Sequence, residues 1–170
     1  NGKYFTSDSY KGAGGIICFT EDDKFVLGKM TITEAKKMKI RDAVTFGPFL
    51  IVNGKSSEVL GNGGWGTAPR TAIGQRKDGI VLFLVLDGRT ATKPGADMDD
   101  LIEVMERYGA YNAANLDGGT SSVLVVGDTI VNDPIDSTGA HKTRPISTAF
   151  IVTKDESDDS DHSVVANKLK

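Results

Sequence analysis

Short apolar runs broken by glycine, asparagine and aspartate recur along the chain, and they predict strands more than helices. Residues 16–20 and 25–30 read as two strands around the Glu21-Asp22-Asp23 turn. Residues 46–52 are apolar with Gly47-Pro48 inside, and Asn53-Gly54 then marks a tight hairpin turn. Residues 71–75 are expected to pair with residues 80–86 through Lys77-Asp78-Gly79. The run at 80–86 is apolar without alternation, the pattern of a central strand covered on both faces. Shorter strands are expected up to Leu116, over 123–126, over 129–131 and over 146–152.

Two segments carry helical spacing. Over 31–39, Ile32, Ala35 and Met38 fall near one face, with Thr31 or Thr33 as cap. Over 98–108, Asp97 suits the N-cap and Asp100 the third helical position, a variant of the capping box. Leu101, Val104, Met105 and Tyr108 form its expected stripe, and Gly109 its stop. Residues 61–66 are glycine-rich and read as a flexible loop. The fold class is therefore α+β: a mixed, largely antiparallel sheet with a few covering helices over residues 1–152. From 153 the composition turns acidic and serine-rich, and a weakly ordered extension is expected there.

Composition narrows the function. A chain of 170 residues with 39% hydrophobic positions builds one full core. Twenty glycines favour tight turns and strands. A net charge of -3 argues against nucleic-acid binding, and no apolar stretch reaches the ~20 residues of a membrane span. The single cysteine, Cys18, lies in an apolar run and reads as a small buried hydrophobe. With His141 and His162 as the two histidines, no Cys/His metal cluster is expected. The sequence opens at Asn1 without an initiator Met or a visible signal peptide and reads as a processed or trimmed product.

Three places share one design, a strand ending in a polar group next to glycine or proline: Asp87-Gly88-Arg89, Asn115 to Ser122, and Pro69-Arg70-Thr71. Polar groups at strand ends converge on a sheet edge, where ligand sites form. Alone, Asp87-Gly88 is more often a turn and Arg70 or Arg144 a surface arginine. The segment Asp117-Gly118-Gly119-Thr120-Ser121-Ser122 is more unusual. Its glycines can turn successive N–H groups to one spot, with three hydroxyls following, a device for phosphate or developing negative charge. It lacks the Gly-Lys-Ser/Thr ending of a P-loop. Arg70 and Arg144 each adjoin a proline that restricts the neighbouring backbone, and a positioned guanidinium grips two phosphate oxygens. A Ser-His-Asp triad is a weak rival, because no Gly-x-Ser-x-Gly elbow surrounds Ser121.

Five ordered blocks then resemble the phosphodiester glycosidase family. They are Phe46-Gly47-Pro48-Phe49-Leu50, Pro69-Arg70-Thr71-Ala72-Ile73-Gly74, Asp87-Gly88-Arg89, Asn115-Leu116-Asp117-Gly118-Gly119 with Ser121-Ser122, and Arg144-Pro145-Ile146-Ser147. Asn1-Gly2-Lys3-Tyr4-Phe5 resembles a further block, which implies that strands preceding it in the family lie outside this sequence. Lys3 and Thr120 depart from the family pattern, each standing where it has glycine.

The resemblance implies hydrolysis of the glycosidic C1–O bond of a sugar-1-phosphodiester such as one of N-acetylglucosamine. A bacterial setting in exopolysaccharide or cell-wall glycopolymer metabolism, secreted or extracytoplasmic, follows from the same resemblance. Because phosphate leaves with little protonation, such a site needs a carboxylate and a positive, N–H-rich phosphate pocket. Asp87 or Asp117 supplies the carboxylate, Asp117 preferred, and Arg70 and Arg144 the clamp. Asn1, Arg89, Asn115, Gly118, Gly119, Ser121 and Ser122 complete the expected substrate contacts. No cofactor is required, although two aspartates with Asn115 can also hold calcium or magnesium. The expected partner is a sugar phosphate or glycopolymer. A non-catalytic phosphosugar-binding module, or a purely structural piece of a surface protein, are the rival readings.

Overall fold

The computed structural model describes residues 15–153, so Asn1, the rest of the first block and the acidic extension from 154 lie outside the described residues. In chain order the elements are β1 (Gly15–Thr20), β2 (Phe25–Gly28), α1 (Ile32–Lys37), β3 (Ile40–Phe46), β4 (Phe49–Val52), β5 (Lys55–Ser56), β6 (Arg70–Arg76), β7 (Val81–Leu86), α2 (Met98–Arg107), β8 (Ala110–Asn115), β9 (Val125–Val126) and β10 (Thr129–Ile130). They form a three-stranded sheet of order β2-β1-β3, a five-stranded sheet of order β5-β4-β8-β6-β7 and the small hairpin β9-β10. Every pairing between these strands is antiparallel, which makes the architecture α+β.

Burial explains the layering. Ile17, Phe19 and Phe25 of the three-stranded sheet meet Ile73 and Ala114 of the five-stranded sheet. Two amide side chains stitch the layers: Phe25 N–H donates to Gln75 Oε1 at 2.8 Å, and Asn112 Nδ2 donates to Phe25 O at 3.0 Å. On the other face, α2 buries Met98, Leu101, Ile102 and Met105 against Leu50, Ile51, Ala72 and Ala113. Burying such side chains contributes about 1.5–3 kcal/mol each. Cys18 is fully buried, and that burial pushes its thiol up to about 11.

Both helices start as their sequences direct. The Asp97 carboxylate accepts from Asp100 N–H at 3.0 Å, and Asp97 N–H donates to Asp100 Oδ2 at 2.9 Å. Thr31 is the cap of α1, reciprocated by Glu34. The expected loop at 61–66 is a tight turn that serves the second helix. Its Asn62 Oδ1 accepts from Met98 N–H at 2.7 Å, satisfying an orphan amide at the start of α2.

Four expectations are corrected. The run at 80–86 is not a central strand; β7 is the edge of its sheet among the described residues, with Ile80, Val81 and Phe83 exposed. Residues 146–152 form no strand, because no strand edge among the described residues pairs with them; Ile146, Ile151 and Val152 are exposed, and Phe150 alone packs, edge-on to Phe19. The strands at 123–126 and 129–131 shrink to two residues each. In α2, Met98 and Ile102 take the buried places expected for Val104 and Tyr108, because the face turned to the sheet is set by Leu101 and Met105. No helix among the described residues is long and apolar enough to cross a membrane.

Candidate active site

The strand registers gather the separate sequence blocks at one end of the five-stranded sheet. Arg70, first in β6, sits opposite Leu86, last in β7; Asn115, last in β8, sits opposite Ala72. The cis peptide Gly47-Pro48 leads into β4 beside them, with Pro48 O accepting from Asn115 N–H at 3.0 Å. The loop after β8 returns to the start of β6: Gly119 N–H donates to Pro69 O at 2.7 Å. Gly118 permits that approach, since a Cβ there would lie 2.8 Å from Pro69 O. Gly119 has φ 61°, a left-handed conformation that favours glycine.

Within this end the candidate side chains separate into three groups. In the first, the Arg144 guanidinium donates from Nε to Ser121 Oγ at 2.6 Å and from Nη2 to Asp117 Oδ2 at 2.5 Å. Ser121 is buried, while Asp117 and Arg144 are about half exposed and open to solvent. In the second, Arg89 donates from Nη1 to Thr120 Oγ1 at 3.0 Å and to Ile135 O at 2.7 Å. Asp87 belongs to the third: its Oδ1 accepts from Asn132 Nδ2 at 3.1 Å and from Asp133 N–H at 2.9 Å. Asp133 in turn meets His141 Nδ1 at 2.7 Å. Asp87 therefore fastens the 132–133 turn to the sheet end.

Arg70 stands apart from all three groups. It is 2% exposed, with Nε donating to Ala96 O at 3.1 Å and Nη2 to Gly66 O. Burial lowers its pKa, partly offset by the negative charge of Asp97. Its hydrogen bonds go to backbone carbonyls, and none goes to Asp87 or Asp117. Asn115 is fully buried; Nδ2 donates to Gly47 O at 2.9 Å, and Oδ1 has no donor among the described residues. Ser122 is fully buried too, and its hydroxyl accepts from Thr71 Oγ1 at 3.2 Å.

The turn at 117–122 also differs in detail from an open amide nest. The N–H groups of Gly119, Ser121 and Ser122 donate to Pro69 O, Gly118 O and Gly119 O. Side-chain hydroxyls and guanidinia, rather than these three amides, are what this turn offers an anion. Asn132 escapes sequence reasoning, and so does the partner that Thr120 takes. Asn132 ties Asp87, Ser122 O and Leu124 N–H together, yet its neighbours Asp133-Pro134 spell an ordinary polar turn. Thr120 holds Arg89, a contact between residues 31 positions apart that no local pattern signals. Among the described residues, no group of three or more His, Cys, Asp or Glu gathers as metal ligands.

A family model described as phosphodiester glycosidase matches residues 1–153. The chain is 28% identical over 140 residues to the SPbeta prophage-derived uncharacterized protein YomE of Bacillus subtilis (strain 168), covering 79% of this chain and 22% of that protein. It is 34% identical over 67 residues to the N-acetylglucosamine-1-phosphodiester alpha-N-acetylglucosaminidase of Homo sapiens, covering 39% of this chain and 13% of that one. Among solved structures, the zebrafish N-acetylglucosamine-1-phosphodiester alpha-N-acetylglucosaminidase catalytic domain, auto-inhibited by its pro-peptide, superposes with a TM-score of 0.65 at 19% identity. That match covers 84% of this chain and 52% of the zebrafish chain, and it establishes the fold. The chain thus spans about a fifth of the length of YomE and about half of the zebrafish domain.

Proposed function

The chain belongs to the phosphodiester glycosidase family, and on that premise we propose that it hydrolyses the C1–O bond of a sugar-1-phosphodiester resembling that of N-acetylglucosamine. The Arg144 guanidinium carries this reading, because it joins a solvent-facing carboxylate to a buried hydroxyl at the end of the sheet. An exposed ion pair is worth about 0–1 kcal/mol, so an arriving phosphate takes Arg144 from Asp117 at little cost. The freed Asp117 then accepts a proton from water attacking C1, or stabilises positive charge developing there. The phosphomonoester departs with its bonding pair and stays anionic against Arg144 and Ser121. Asn115 Oδ1 has no donor among the described residues but is fully buried, so a sugar hydroxyl or amide reaches it only if the sheet end opens. A glycopolymer of the exopolysaccharide or cell wall, met outside the cytoplasm, is the substrate setting we propose.

One observation favours a second reading, a non-catalytic phosphosugar-binding module: Arg70 and Asp87, two of the expected catalytic groups, serve backbone and turn instead. A panel of N-acetylglucosamine phosphodiesters, assayed for released reducing sugar with and without chelator, separates the two. The hydrolase reading expects turnover that Asp117→Asn lowers by about 10²–10⁴-fold while leaving the thermal midpoint nearly unmoved. Binding without product supports the module, and undiminished turnover in Asp117→Asn removes that residue from the chemistry.

A further inference from the structure

Arg89 follows β7 in the left-handed region, with φ 67°, a conformation that costs a non-glycine residue about 1 kcal/mol. Three hydrogen bonds hold it there. Its amide donates to Pro94 O at 3.1 Å, and Nη1 donates both to Thr120 Oγ1 at 3.0 Å and to Ile135 O at 2.7 Å. Both protons of Nη1 are thereby committed, while Nε and Nη2 have no partner among the described residues. Those two nitrogens form one straight edge of the guanidinium, the edge that meets two oxygens of a phosphate side by side. Gly119 lies beside Nη2: a Cβ there would come 2.8 Å from that nitrogen, so glycine leaves room for it.

Arg144 is arranged differently, since Nε is occupied by Ser121 and Nη2 by Asp117. Thr120 and Ser121 are adjacent on one turn, so two neighbouring hydroxyls seat two guanidinia that come from loops 55 positions apart. The turn thus holds both cations, and its one carboxylate, Asp117, pairs with Arg144.

We propose that the Nε–Nη2 edge of Arg89 is the bidentate phosphate contact of this site and that Thr120 is the positioning residue that aligns it. This rests on the reading of the 117–121 turn as the phosphate-binding end of the substrate. Arg144 then supplies charge and exchange with Asp117, and Arg89 supplies the fixed two-point grip. Thr120 acts through Arg89 and touches no reacting atom.

Titration of the full chain with inorganic phosphate, and separately with N-acetylglucosamine 1-phosphate, tests the assignment without requiring turnover. Thr120→Val keeps shape and removes the acceptor; phosphate affinity is expected to fall about tenfold, the worth of one hydrogen bond to a charged group. Thr120→Ser restores the hydroxyl and is expected to return affinity to within about threefold of the parent. If Thr120→Val does not fold, Thr120→Ala gives the same comparison. Parental affinity in the hydroxyl-free variant, weak binding in Thr120→Ser, or no phosphate binding by the parent chain overturns the proposal. Phosphate binding that depends on Thr120 in a chain that turns over no phosphodiester leaves this grip standing and removes the hydrolase reading. Where turnover is measured, Thr120→Val is expected to raise KM more than it lowers kcat.

Discussion

Arg70 and Arg144 look alike in sequence, each beside a proline and each a fitting phosphate clamp, and the fold gives them opposite work. Arg70 is 2% exposed and bonded to the carbonyls of Ala96 and Gly66. Arg144 is half exposed and bonded to the side chains of Asp117 and Ser121. A buried guanidinium bound to backbone carbonyls cannot let go without leaving polar groups unsatisfied. A guanidinium in solvent, bound to a carboxylate, exchanges that partner for another anion readily. The contrast extends to the regions around them: the β6 end is fixed by strand ladders and burial, and the 117–144 region by side chains and charge.

Arg70→Met breaks the first half of this comparison and has the largest expected effect on stability. The variant loses both hydrogen bonds of a buried cation, a cost of about 3 kcal/mol read by urea unfolding. A midpoint like that of the parent would mean that Arg70 is not structural, and would return it to the phosphate clamp.

Much of the layout was legible in the sequence. Asp97 and Asp100 announce the start of α2, and Asn53-Gly54 marks the hairpin between β4 and β5, because caps and tight turns are local chemistry. The gathering of the blocks that hold Arg70, Asp87 and Asn115 at one end of the sheet follows from strand ends, as the polar groups closing those strands implied. The position of β7 was not legible: an apolar run states that a strand is hydrophobic, not whether a neighbour covers it, and Phe83 is left exposed at an edge. Nor was the division of labour among the charges. Asp87 and Asp117 both precede glycine after a strand, yet one accepts from Asp133 N–H and the other from Arg144, choices made by loops 27 or more positions away.

Acid sharpens the comparison of regions. Asp136 lies in the side-chain-built region, where Lys142 Nζ at 2.8 Å, the Thr138 hydroxyl and the amides of Thr138 and Ala140 surround its carboxylate. These partners, Lys142 foremost, hold its pKa well below the usual carboxylate range despite its burial. A carboxylate whose folded pKa is depressed contributes stability that is fully present above its unfolded value, about 3.9, and is lost as pH falls below it. Thermal midpoints are therefore expected to drop below about pH 4, and Asp136→Asn to flatten that part of the drop. An unchanged acid limb in Asp136→Asn would mean that the loop draws its stability from elsewhere.

Arg144→Gln has the smallest expected effect on stability, and the comparison depends on that smallness. The ion pair with Asp117 is solvent-exposed on both sides, at 53% and 47%. Pairs of this kind contribute about 0–1 kcal/mol, and glutamine can still donate to Ser121 Oγ. The unfolding midpoint is therefore expected to stay near that of the parent while phosphate affinity falls, the reverse of what Arg70→Met should do. Loss of several kcal/mol in Arg144→Gln would show that Arg144 is as structural as Arg70, and the distinction between a guanidinium that holds the fold and one that awaits a ligand would collapse.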